Sequence, residues 1–148
     1  TASRRREAAI QSMLATFGAA QAAVQQDARQ LLVWQPLAAS ARRLFPEVFS
    51  ALDAATQQRF PFSKDVIERA HAKWTTDWLA WEKAHDEEYR LKGAAAEQEI
   101  GRAAAAGGDA VALAKARLER VQHEKIEKYQ QRYEEYIRTA RALQGLME

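Results

Sequence analysis

An all-α fold, a helical bundle built on one long antiparallel helical hairpin, is what this sequence predicts. Three observations predict it. Alanine supplies about a fifth of the 148 residues and only 6 glycines and 3 prolines interrupt them, while alanine, glutamine, glutamate and arginine all favour helix. β-Branched residues are few and never alternate with polar ones over a strand's length. Apolar and aromatic residues instead recur at alternating steps of three and four, the spacing of one helix face.

The first helix is predicted over about 3–33. Ile10, Leu14, Phe17, Gln21, Val24, Ala28 and Leu31 make one stripe with a single polar interruption, and Ser3 is placed to cap it. Pro36 and Pro46 then punctuate the chain, because proline disfavours helix in the residue before it. A short helix is predicted over 37–44. Another starts at Pro46, carries Val48, Phe49 and Leu52, and ends near Arg59. Phe60-Pro61-Phe62 reads as a linker.

The hairpin follows, over about 63–106 and 109–145. Ser63 fits an N-cap, Asp65 sits in the first turn, and Phe62 with Ile67 fits a hydrophobic staple. Gly107-Gly108 is the break, with Asp109 as the next cap. In the last helix Ile126, Tyr129, Tyr133, Tyr136, Ala140, Leu143 and Met147 keep a three-four spacing, and upstream the stripe is Val111, Ala114, Leu118 and Val121. Joining the two stripes requires a slip between Val121 and Ile126, so a straighter helix or local unwinding is predicted there. Arms of nearly equal length about a tight turn suit antiparallel pairing. Folding at the glycines pairs residues whose numbers sum to about 215. Trp78 then falls near Ile137, Trp81 near Tyr133 and Tyr89 near Ile126. The base is aromatic, whereas Ala94–Ala106 opposite Ala110–Ala116 makes a thin tip that buries little area. The whole reads as a single helical domain, 1–60 packing at the base of the 61–148 hairpin.

Composition excludes several functions. With no cysteine there is no disulfide, cysteine nucleophile or thiolate metal site. Net charge is only +2, spread as +3 over 1–60, −2 over 61–108 and +1 over 109–148, so no segment carries a strong field. No apolar run approaches the ~18 residues of a membrane span and no signal peptide is visible, which predicts a soluble, cytoplasmic protein. The chain opens on Thr1-Ala2-Ser3, so a trimmed leader is compatible with it.

Candidate chemistry is sparse. Glu68 with His71 and Glu82 with His85 each form a Glu-x-x-His motif, but both lie on one helix about 21 Å apart and cannot converge on one metal. No nucleophile loop, triad or phosphate loop is present, so no catalysis, cofactor or metal is predicted. Trp74, Trp78 and Trp81 share one face and read as core. Trp34, beside the proline linker, is the tryptophan expected to stand exposed.

The leading functional reading is a non-enzymatic interaction or scaffold protein that binds a protein partner or itself. Trp34 and the tip residues Ile100, Arg102 and Val111 are its candidate contacts. A second reading is nucleic-acid association, with Arg4, Arg5, Arg6, Arg42 and Arg43 as candidate anion contacts. A third is attachment to an apolar granule or lipid surface through the amphipathic first helix.

Overall fold

The computed structural model describes residues 1–147 and is all-α, as the periodicity predicts. Six helices follow in order: α1 (Ala2–Gln26), α2 (Gln30–Leu44), α3 (Pro46–Phe49), α4 (Ala54–Arg59), α5 (Lys64–Ala106) and α6 (Ala110–Met147). They form two compact units. One is Thr1–Thr76 with the chain from Ile137 onward; the other is Asp77–Tyr136. No helix among the described residues is long and apolar enough to cross a membrane.

In the first unit the predicted N-terminal helix is shorter than its stripe. α1 ends at Gln26 because Asp27 turns extended and its carboxylate accepts from the Arg29 amide at 3.1 Å. The stripe survives the break, with Phe17, Val24, Ala28 and Leu31 all buried. Its polar interruption also has a reason: the Gln21 amide donates to the Pro61 carbonyl. Thr1, rather than Ser3, caps α1. Lys73 donates to the Gln26 carbonyl at 2.9 Å, supplying one of the acceptors a helix end leaves open.

Pro36 does not end a helix. It lies inside α2, whose buried face is Leu31, Ala38 and Ala41. Packing of that face outweighs the missing amide and the clash that proline imposes. Pro36→Ala is therefore expected to stabilise the chain by roughly 2 kcal/mol: ~3 from helix propensity, less ~1 for the freer unfolded chain. Thermal melts followed by circular dichroism measure it, and a lower melting temperature would show that Pro36 is needed where it stands.

The predicted 46–59 helix is also divided. After α3, Asp53 opens a second short helix by accepting from the Thr56 amide at 2.7 Å and its hydroxyl at 3.0 Å. An Asp-x-x-Thr cap was present in the sequence and outweighs continuation. Phe17 packs edge-on against Trp34 and Phe60, and Phe60 against Phe49 at 4.6 Å. The cap at Ser63 is as predicted: its hydroxyl accepts from the Val66 amide at 3.2 Å, with Phe62 and Ile67 buried beside it. Leu143, in the last turns of α6, is wholly buried in this unit.

In the second unit α5 and α6 pack as the antiparallel hairpin. Glu82 pairs with Tyr129, His85 with Lys125 and Glu99 with Arg117, so numbers rise along one arm as they fall along the other. Gly107 and Gly108 make the turn with φ of 78° and 70°, where a Cβ is strained. Open space surrounds both, so the cost of substitution is conformational. Gly108→Ala should cost about 1–2 kcal/mol. Amide exchange at the tip residues reads this directly, and unchanged protection would refute a strained turn.

Candidate interaction site

Aromatic rings dominate the base of the second unit. Trp78 stacks on Tyr136 at 4.8 Å and on Trp81 at 5.4 Å, and meets Tyr129 and Tyr133 at 5.6 and 5.8 Å. Trp81 stacks on His85 at 4.6 Å, and His85 continues to Tyr89. The buried His85 ring places Nε2 3.0 Å from the Lys125 carbonyl, and the Tyr129 hydroxyl donates to Glu82 at 2.7 Å. That bond to a carboxylate, with burial, pushes the Tyr129 phenol above its usual range. The motif Glu82-x-x-His85 is thus spent on holding the two arms together. Glu68 lies 3.9 Å from Lys64 on the same helix face.

The sequence register is close but shifted. Trp81 meets Tyr129 at 6.1 Å, and Tyr133 goes to Trp78. Tyr89 has Lys92 over its ring at 4.8 Å and Lys128 at 5.8 Å, rather than Ile126. The Glu124 carboxylate binds Lys128 at 2.8 Å, which lowers the acid and raises the lysine above its normal range. The side of α6 that meets α5 runs through Leu118, Val121, Tyr129, Arg132 and Tyr136, with the Lys125 carbonyl between. From Leu118 to Tyr136 that is 18 residues, or five turns at ~3.6 residues per turn. The seam thus keeps the ~3.6-residue period, so the heptad position Ile126 rotates off it and Tyr133 moves to its edge, with its ring still 5.8 Å from Trp78.

The result is an uncovered apolar face. Ile126 is 57% exposed and Tyr133 45%. An open cavity of about 650 Å³ lies beside Ile126, lined also by Gln122, Lys125, Tyr129 and Gln130. At ~100° per residue, Lys125 and Arg132 fall on one edge of this face and Glu127 and Glu134 on the other. Arg132 on the first edge also lies 5.8 Å from the Trp81 ring. The sequence contained one signal for this face: the three-four stripe that fails to join across Val121 and Ile126.

Other predicted contacts are scattered. At the tip, Ile100 and Val111 are half-buried and Arg102 is exposed. Arg102 lines a shallow groove of about 340 Å³ with Ala103, Ala110 and Leu113. Trp34 is half-buried rather than exposed, because Phe17 lies edge-on against its ring at 6.1 Å. Of the arginines, Arg4, Arg5 and Arg43 are exposed. Arg6 bonds Glu47 at 2.5 Å and the Leu44 carbonyl at 3.1 Å, with Phe45 under its guanidinium. Arg42 turns elsewhere and donates to the carbonyls of Gln58 and Phe60.

No family model, curated protein or solved structure matches the chain. Fold and site therefore define its class by geometry: an all-α helical-hairpin protein.

Proposed function

We propose that the chain is a non-enzymatic helical interaction protein and that a second copy of itself covers the Ile126–Tyr133 face. The observation that carries this is the paired exposure of Ile126 and Tyr133 between rims of opposite charge. Two such faces set parallel place Lys125 of each copy against Glu127 and Glu134 of the other, beside an Arg132 that Glu135 of its own copy already holds at 3.2 Å. An antiparallel pair puts like charges together. A two-helix unit also leaves each arm with one covered side, and parallel pairing gives α6 a second.

Light scattering on a concentration series tests the reading. The expected mass is twice 16.7 kDa, falling to 16.7 kDa for Ile126→Glu and for Tyr133→Glu. A chain that stays at 16.7 kDa at every concentration, or a dimer that both variants leave intact, overturns it.

A further inference from the structure

A second site stands apart from that face, in the first unit. Gln35, Ala38, Arg42, Gln58, Arg59, Phe60, Phe62 and Leu146 line a cavity of about 140 Å³, the share of roughly four or five waters. Two of these residues are arginines, and among the described residues no carboxylate lines the cavity. Their outer nitrogens are held by backbone: Arg42 Nη2 donates to Gln58 O at 2.7 Å and Phe60 O at 3.2 Å, and Arg59 Nη1 to Ala55 O at 3.1 Å. Both Nε atoms, however, are buried and meet no acceptor among the described residues. Asp53, whose carboxylate feels the Arg59 charge, is committed to the Thr56 amide and hydroxyl.

Such an arrangement is costly as it stands. A buried donor without an acceptor carries its desolvation penalty uncompensated, here at the Nε atoms of two half-buried arginines. Arg42 shows this cost, since burial alone holds its pKa below the usual arginine value. Guanidinium forks pinned by backbone are also what recognises an oxyanion at low entropic cost.

We propose that this cavity binds a small phosphate-type oxyanion between Arg42 and Arg59. The Gln35 and Gln58 amides supply neutral donors, and the Phe60 and Phe62 side of the wall keeps water out and strengthens the ion contacts. The volume takes a phosphate group and leaves any substituent outside. Arg42 is thus an anion contact through Arg59, its cavity neighbour, and not through the N-terminal arginines.

Titration of the full chain with inorganic phosphate and with a simple phosphomonoester, at constant ionic strength balanced by chloride, tests the proposal. The readouts are the melting temperature and ³¹P line broadening. A saturable rise in Tm is expected, roughly 5 °C or more at a hundred times Kd. Saturation by both ligands assigns the site to a phosphoryl group with its substituent outside, and saturation by inorganic phosphate alone assigns it to the free ion.

Two variants guard against a simple folding defect. Arg59→Gln should weaken binding at least tenfold. Gln35→Glu brings a carboxylate to the arginines, so it should raise Tm without phosphate and remove the phosphate response. A linear, non-saturating rise shared equally by the wild type and Gln35→Glu is general salt stabilisation and overturns the site. So does a flat response to both ligands.

Discussion

Trp78→Ala is expected to destabilise the second unit by about 3–5 kcal/mol, among the larger effects a single truncation produces. The indole touches four other rings, from both arms, within 6 Å. Burial is the main term: ~200 Å² of ring at ~25 cal/mol per Å² is about 5 kcal/mol. The two arms cannot close onto the void, because Tyr129 is anchored to Glu82 and His85 to the Lys125 carbonyl. Amide exchange across 77–136 should show the loss, with circular dichroism melts as the global check. A change under about 1 kcal/mol would mean the hairpin is held elsewhere.

Leu143→Ala is expected to cost about 2–5 kcal/mol in the first unit. The side chain is fully enclosed, as are Leu31 and Ile67 of the same unit. A frayed helix end tolerates such a change, so the prediction separates a docked end of α6 from a frayed one. Urea melts of the variant against Arg141→Ala, on the exposed side of the same turn, make the comparison. Equal midpoints for the two variants would contradict the docking.

The long hairpin was legible in the sequence because its signals are local and strong. Ser63, Phe62 with Ile67, and Gly107-Gly108 each act within a few residues of themselves. The N-terminal half was less legible where tertiary contacts decide. Nothing near Pro36 announces that packing of Leu31, Ala38 and Ala41 carries the helix through it. The break at Asp27 and the cap at Asp53 were visible as residue types, but a continuous apolar stripe masked the first and a continuous helical pattern the second.

At the site, the same sequence logic went furthest wrong where the period changed. Heptad spacing put Ile126 in the seam, whereas the helix follows 3.6 residues per turn and turns Ile126 outward. The cavity between Arg42 and Arg59 had no sequence signal, since those residues are 17 positions apart and meet only through the fold around Phe60-Pro61.

Because the chain has no cysteine, one introduced thiol tests the central claim directly. Parallel, in-register pairing brings position 126 of one copy against position 126 of the other, near the ~5.5–6 Å Cα separation a disulfide needs. Under mild oxidation Ile126→Cys should give a covalent dimer rapidly, and Leu113→Cys, equally exposed but off the face, should not. Slow and equal cross-linking at both positions would contradict self-association through α6.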